Sequence, residues 1–187
     1  MDQELKLVEL SQEGDRNAFE ELVARYGKRI FNMAHSMLGD RAGAEDICQE
    51  VWTKAYFSLP KFKGKSRFYT WLYRLAVNVC LDEMRKRKRT QAISLDELGF
   101  KHQPETQDPP APEQLEHLEM GRIVWKLLVE LPAELRATLI CREIEGFNYE
   151  EIARIMKVRV GTVRSRLFRA REQLRENFNT HFKGGGE

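Results

Sequence analysis

The sequence predicts an all-α protein made of two small helical domains joined by a flexible acidic linker. Apolar residues recur at gaps of three and four along most of the chain, and no stretch of any length alternates as a strand would. Four of the six prolines fall within residues 96–114, a density that favours an extended connection. We therefore expect a first domain at 1–92, a linker at 93–113 and a second domain at 114–183.

The first domain is expected to contain four helices. Asp15 and Asp40 are suitable N-cap residues, because an Asp side chain accepts hydrogen bonds from the first free backbone N–H groups of a helix. Gly39, just before Asp40, is typical of a helix end. The predicted helices lie around Glu4–Leu10, from Asp15 to Gly39, from Asp40 to Pro60, and from Ser66 into the basic run at 85–89.

The second domain is expected to begin with a leucine-rich helix from Gln114, and Pro132 starts the next helix. The residues of that helix predicted to face inward are Leu135, Leu139, Ile140 and Ile144.

The last two helices have the pattern of a helix-turn-helix. Asn148 and Glu151 have the spacing of a capping box that would begin the first of them. A turn at 157–159 leads to a second helix from about Val160. Its apolar side is predicted to consist of Val163, Leu167, Ala170 and Leu174. The short hydroxyls and arginines elsewhere on this helix suit the major groove of DNA, although an ordinary amphipathic surface helix is the alternative.

The net charge of +2 hides an uneven distribution along the chain. Residues 61–90 carry ten Lys or Arg against two Asp or Glu, and residues 154–175 carry eight against one. Residues 91–120, which lie between the two basic blocks, carry one against seven. Two basic blocks separated by an acidic segment suggest two contacts with one polyanion, such as nucleic acid.

The first basic block coincides with a cluster of aromatic residues. Trp71 is predicted to lie at the border between the apolar core and a polar stripe of the fourth helix. Aromatic rings can stack on unpaired bases while cations hold the backbone, which suits single-stranded or opening DNA. The aromatics are Phe62, Phe68, Tyr69, Trp71 and Tyr73, and the basic and polar residues are Lys61, Lys63, Lys65, Arg67, Arg74, Asn78 and Arg85. The alternative, in which the aromatics are only core and the lysines a solvated loop, stays open.

The third helix is predicted to carry a protein-docking face. Asp46 and Gln49 point outward, and Trp52 lies at the edge of the same face. A large aromatic beside carboxylates often marks a docking surface, although a solvated helix face is the alternative.

Several classes of protein are excluded by what the sequence lacks. Three distant cysteines and four scattered histidines fit neither a disulfide framework nor a zinc site, so we expect no metal and no cofactor. No catalytic constellation is visible either, so the protein is not expected to be an enzyme. Without a secretory signal or an apolar run of about 20 residues, it is expected to be cytoplasmic and not inserted in a membrane.

Three segments, in order, resemble the extracytoplasmic-function (ECF) sigma factors of the sigma-70 superfamily. They read DRAGAEDICQEVWTKAY, FKGKSRFYTWLYRLAVNVCLDEMRKRKR and LPAELRATLICREIEGFNYEEIARIMKVRVGTVRSRLFRAREQL. The resemblance covers nearly the whole chain. It implies a bacterial transcription initiation factor with sigma region 2 in the first domain and region 4 in the second.

The resemblance also implies roles for particular residues. Core RNA polymerase would be bound by Asp46, Gln49, Glu50 and Trp52. The −10 promoter element would be recognised and melted by Lys61, Lys63, Lys65, Arg67, Tyr69, Trp71, Arg74, Asn78 and Arg85. The −35 element would be read by Thr162, Arg164, Ser165, Arg166, Arg169 and Arg171. The acidic linker would pass through the polymerase near the template strand, and an anti-sigma factor, often membrane-bound in this family, is a further expected partner.

A conventional helix-turn-helix regulator with an N-terminal sensing or dimerising domain is the alternative function. It would account for the second domain but leaves the aromatic, basic block of the first domain unexplained.

Overall fold

The structure, a computed structural model, describes residues 3–95 and 115–183. Within these two ranges the chain forms eight α-helices and no strand, which confirms the predicted all-α class. The helices are α1 (Gln3–Gln12), α2 (Arg16–Leu38), α3 (Arg41–Ser58), α4 (Phe68–Leu95), α5 (Leu115–Glu130), α6 (Ala133–Leu139), α7 (Tyr149–Met156) and α8 (Val160–Lys183). Helix α4 extends three residues into the predicted linker, and the rest of that linker lies outside the described residues.

The helix ends predicted at Asp15, Gly39 and Asp40 are confirmed. The Asp15 carboxylate accepts hydrogen bonds from two backbone N–H groups in the first turn of α2. Gly39 ends that helix in the left-handed conformation, at φ 87°, which glycine adopts without the steric cost of a Cβ. Asp40 then caps α3 by accepting from the backbone N–H of Gly43 at 2.6 Å. Two consecutive residues therefore end one helix and begin the next.

Helices α2, α3 and α4 pack around one apolar core, and α1 lies against it. The largest fully buried side chains of this core are Leu22, Ile30, Met33, Met37, Leu59, Phe68, Leu72 and Tyr73. A short 3₁₀ turn, Leu59–Lys61, follows α3. The Gln12 side chain of α1 donates to the carbonyls of Leu59 and Phe62, at 2.9 and 2.8 Å, and so fixes the connection that leads to α4.

The second half contains one departure from the predicted pattern. A π-helical turn at Ile140–Ile144 follows α6, with the N–H of Glu145 donating to the Ile140 carbonyl at 3.1 Å. Such a turn contains more residues than an α-helical one, so the 3.6-residue periodicity fails there. Ile144 was predicted to face inward; this is wrong, because the side chain is 58% exposed.

The helix-turn-helix consists of α7 and α8. The predicted capping box is confirmed, since the Asn148 side chain accepts from the N–H of Glu151 while the Glu151 carboxylate accepts from the N–H of Asn148. Lys157 ends α7 in the left-handed conformation, at φ 53°. Val163, Leu167 and Ala170 are buried and attach α8 to the rest of the second half.

The two halves are packed against each other through α4 and α7, and through α2 and α5. The cysteines are all free: Cys80 and Cys141 are buried and Cys48 is half-buried. Among the described helices, none is both long and apolar enough to cross a membrane.

Candidate nucleic-acid interface

The predicted docking face of α3 is exposed to solvent. Asp46, Gln49 and Glu50 are all exposed, and Glu50 pairs with Lys54 one turn further along at 2.6 Å. Trp52 is half-buried, because its ring packs edge-on against Phe19 of α2 at 5.9 Å. Among the described residues, the carboxylates of this face therefore form no ion pair with a residue of the core.

Sequence reasoning missed Phe57, the most exposed large apolar side chain of the described residues, at 74%. The spacing of residues along α3 could have predicted its position. Phe57 lies four residues after Thr53 and seven after Glu50, so helical geometry places it on the same stripe as Asp46. A bare phenylalanine at the end of an acidic stripe is typical of a protein interface.

The loop before α4 presents the cations predicted for the −10 element. Lys61, Lys63, Lys65 and Arg67 are all exposed, and the described residues offer them no carboxylate within ion-pair distance. Gly64 turns the loop at φ 66°. On α4 itself, Arg74 and Asn78 are half-buried, whereas Arg85 is exposed and pairs with Asp82.

Two aromatic residues predicted for strand opening are not on an open surface. Trp71 is only 8% exposed, and its ring lies 5.1 Å from Phe62 and 5.6 Å from Phe68. Tyr69 is half-buried and stacks at 5.6 Å on Phe147 from the second half. In this structure both rings therefore pack against other aromatic side chains of the protein.

One arginine of the basic run has a partner on another helix. Arg87 donates to Asp40, the N-cap of α3, and also to Glu83 at 2.9 Å. Burial alone would raise the pKa of Asp40, but the hydrogen bonds from Arg87 and from the backbone of Gly43 outweigh burial and lower it. Arg87 therefore joins α4 to α3. The two cations before it pair with acidic residues of α4 itself, and the two that follow it are exposed.

On α8 the polar residues divide by burial. Arg164, Ser165 and Arg169 are exposed, while Thr162 and Arg166 are half-buried. At 100° per residue, Ser165 and Arg169 lie opposite the buried face of the helix, and Arg166 lies nearer to it. Arg171 is exposed but pairs with Glu143 at 2.6 Å. Of the two arginines predicted to read bases, Arg169 has the more open position.

A second exposed aromatic, Phe168, was also missed. It is 67% exposed and lies one turn after Arg164, on the open side of α8 beside Ser165. An apolar side chain in this position can contact the methyl group of thymine in a major groove. The sequence could have shown this, because Phe168 does not fall at the gaps of three and four that define the buried face of α8.

Comparison with known proteins identifies the family. A model described as Sigma-70 region 2 matches residues 22–90, and one described as Sigma-70, region 4 matches residues 121–174. The RNA polymerase sigma-H factor of Pseudomonas aeruginosa is 39% identical over 178 residues, which cover 92% of each chain. The ECF RNA polymerase sigma-E factor of Escherichia coli K12 is 39% identical over 173 residues, which cover 90% of each. The chain belongs to the ECF group of the sigma-70 family.

Solved structures share the fold of this sigma factor. One is CnrH in complex with the cytosolic domain of CnrY, with a TM-score of 0.71 and 24% identity over 96% of this chain and 99% of that chain. Another is the sigma factor RpoE in complex with the anti-sigma factor NepR from Bartonella quintana, with a TM-score of 0.68 and 25% identity over 86% and 96%. The region 2 match falls within the first half and the region 4 match within the second.

Proposed function

We propose that this sigma factor binds core RNA polymerase, directs it to promoters through −10 and −35 contacts and promotes strand opening. Domains 1–92 and 114–183 would carry region 2 and region 4. The observation that carries the proposal is the pair of separate basic surfaces, one on the loop and helix that follow residue 60 and one on α8. The loop cations adjoin the aromatic cluster of α4, whose rings would have to become exposed to meet unpaired bases, and α8 carries short polar side chains for a duplex groove.

The polymerase contact is proposed for the acidic face of α3. Asp46, Gln49, Glu50 and Trp52 lie there, and Phe57 extends the face with an apolar end. Carboxylates would provide steering and register, while the phenylalanine would be desolvated on docking.

The −10 contact is proposed for the loop cations and α4, and the −35 contact for α8. In the first, Lys61, Lys63, Lys65 and Arg67 would hold the DNA backbone. In the second, Arg169, Ser165 and Phe168 would face base edges, and Arg164 would meet phosphate. Thr162, Arg166 and Arg171 lie at the margins of that surface and would help to orient it.

An anti-sigma factor is a further proposed partner. The RpoE structure contains one, NepR, and that sigma factor shares the fold of this chain. We propose that the protein acts in the cytoplasm, where polymerase and chromosome are, and that it is not an enzyme in its own right, since initiation chemistry belongs to the polymerase.

The test is transcription reconstituted from purified components. Core RNA polymerase, a library of promoter fragments and the chain are combined, and initiation is measured with and without the chain. Specific transcripts that need only core polymerase and this chain are expected. A requirement for a different sigma factor would favour the helix-turn-helix regulator instead, and an unchanged transcript set would contradict the proposal.

A further inference from the structure

The loop that presents the cations proposed for the −10 element is anchored by a side chain from another helix. Gln12, the last residue of α1, is half-buried, and its amide nitrogen donates to the carbonyls of Leu59 and Phe62, at 2.9 and 2.8 Å. These two carbonyls bracket the short 3₁₀ turn from which the loop departs. Both N–H groups of one amide therefore hold a turn of backbone that lies 47 and 50 residues further along the chain.

The chemistry of this anchor requires a donor at position 12. Only the nitrogen end of a glutamine amide can face two carbonyl oxygens, because its oxygen end can only accept. The Leu59 carbonyl also accepts the backbone N–H of Phe62 at 2.9 Å, so Gln12 uses its second lone pair. Leu59 is only 1% exposed, so water has little access with which to replace the lost amide.

Helix α1 is itself seated firmly, which makes Gln12 a fixed point. Leu7 and Val8 are buried in the core of the first half, and the Tyr26 hydroxyl of α2 donates to the Glu4 carboxylate. The Sigma-70 region 2 match begins at residue 22, after this helix. The anchor of the loop therefore comes from an element outside the matched region.

The loop is held at both ends and open between them. Phe62 and Phe68 lie at the two ends, with their ring centres 6.2 Å apart. The residues between them, 63–67, include three exposed cations, and Gly64 turns the chain there at φ 66°. A short loop that starts and ends on the core has its direction set by those ends, so the Phe62 carbonyl helps to decide where the cations point.

We propose that Gln12 is a positioning residue for −10 recognition, which fixes the Leu59 and Phe62 carbonyls and thereby holds the cation loop in the shape that meets the opened strand. A binding loop that is rigid before contact avoids the ordering cost that a mobile loop incurs on binding. The inference rests on the proposed function for its consequence, whereas the anchoring of the loop can be measured on the chain alone.

The test uses the full-length chain with three substitutions on α1. Gln12→Met keeps the length of the side chain, stays neutral and removes both donors. Gln12→Asn keeps the amide but is one methylene shorter, so it should reach at most one of the carbonyls, and it carries the test if Gln12→Met does not fold. Gln3→Met is the matched control, because Gln3 is exposed at the other end of the same helix. Circular dichroism and thermal melting establish which variants are folded.

Trypsin reports whether the loop is anchored, because the loop itself contains cleavage sites. Cleavage of a folded chain tracks the population of locally opened segments. Cleavage after Lys63 and Lys65, identified by mass spectrometry, should be about five- to tenfold faster in Gln12→Met, the factor that one hydrogen bond is worth. Gln12→Asn should lie between this variant and the wild type, and Gln3→Met should match the wild type.

The basic run at 85–89 is the internal reference for this measurement, and its cleavage should not change. A folded Gln12→Met variant with unchanged cleavage in the loop would overturn the anchor. Equal acceleration in the loop and in the run would show general loosening of the fold, and it would overturn the anchor as well.

Binding of a single-stranded −10 oligonucleotide by the holoenzyme reports the consequence, with the oligonucleotide taken from a promoter on which the chain initiates. Gln12→Met should weaken this binding about five- to tenfold. Its affinity for core polymerase and, as the free chain, for a −35 duplex should equal that of the wild type. Losses of the same size in all three measurements would show a merely structural role and would overturn the proposal.

A double-mutant cycle with Lys63→Ala shows whether Gln12 acts through the loop. If Gln12 positions this cation, the double variant should bind the −10 strand about threefold or more tightly than the product of the two single losses predicts. Losses that simply multiply would overturn the positioning role. Absence of −10 binding in every chain would contradict the proposed function and the positioning role with it, while the cleavage rates would still decide whether Gln12 anchors the loop.

Discussion

The two helices proposed to contact promoter DNA, α4 and α8, are built in different ways. On α4 the residues beside the proposed DNA surface are also core, since Phe68, Trp71 and Tyr73 are 2%, 8% and 0% exposed. On α8 the buried face and the proposed reading face are opposite each other, and Phe168 is 67% exposed. Recognition and stability therefore share residues on α4 and are separable on α8.

The largest expected effect comes from Trp71→Ala. Trp71 fills space between Phe62 and Phe68, and removing a buried tryptophan typically costs about 3–5 kcal/mol of folding free energy. Thermal or denaturant unfolding should detect this loss. If the same ring also stacks on opened bases, permanganate reactivity of unpaired thymines should fall at a temperature where the variant is still folded.

Trp71→Phe separates the two roles of this side chain. It keeps an apolar ring in the cluster and should recover most of the lost stability. Recovery of both stability and promoter opening would fit a general aromatic requirement. A stable Trp71→Ala variant that opens promoters normally would contradict both roles and remove the overlap that distinguishes α4 from α8.

Local sequence signals predicted the ends of elements well. Asp15, Gly39, Asp40 and the capping box at Asn148 were readable because each acts on backbone groups within three or four residues. Apolar spacing likewise predicted the buried faces wherever the helical repeat is regular.

Two kinds of feature could not be predicted in this way. Ile144 was misplaced because a π-helical turn interrupts the repeat, and the sequence carries no spacing signal for that turn. The Tyr69–Glu145 and Arg29–Glu145 contacts join residues 76 and 116 positions apart, which periodicity does not report. Phe57 and Phe168 were accessible to the same helical arithmetic that placed Asp46 and Arg169.

Because the reading face and the buried face of α8 are opposite each other, substitutions on the reading face should reduce sequence specificity without reducing the stability of the fold. Arg169→Ala or Phe168→Ala should weaken binding to a preferred −35 duplex by about 1–3 kcal/mol and leave a scrambled duplex nearly unaffected. Unfolding free energy should stay within about 0.5 kcal/mol of the wild type, because both side chains are exposed. Fluorescence anisotropy with duplexes selected from a random pool measures the binding.

Arg164→Ala is the matched variant for backbone contact. It should weaken every duplex alike and reduce the slope of log affinity against log salt by about one unit. Equal losses on all duplexes for Arg169, Phe168 and Arg164 variants would make α8 an electrostatic anchor, and specificity would then have to come from DNA shape.

A smaller effect is expected on the docking face of α3, which resembles α8 in keeping its functional side chains out of the core. Asp46→Lys and Phe57→Ser should each weaken binding to core polymerase by about 1–2 kcal/mol, since each removes an exposed group from the proposed interface. Glu9→Lys, an equivalent charge reversal at an exposed position of α1, should have no effect. Unchanged affinity in both α3 variants would exclude this face.

The smallest effect concerns the Asp40–Arg87 pair, which joins α4 to α3 away from the proposed DNA contacts. Because the pKa of Asp40 is lowered in the folded chain, its contribution to stability is complete above about pH 4 and is lost as pH falls through the lowered value. Both side chains are more than a third exposed, so solvent screening limits the pair to about 0.2–1 kcal/mol. A cycle of Asp40→Asn, which retains the cap, with Arg87→Gln isolates the coupling. Unfolding free energies should give that coupling at pH 7 and progressively less of it as the pH falls below about 4, and a coupling that persists undiminished in acid would show that charge is not what joins the two helices.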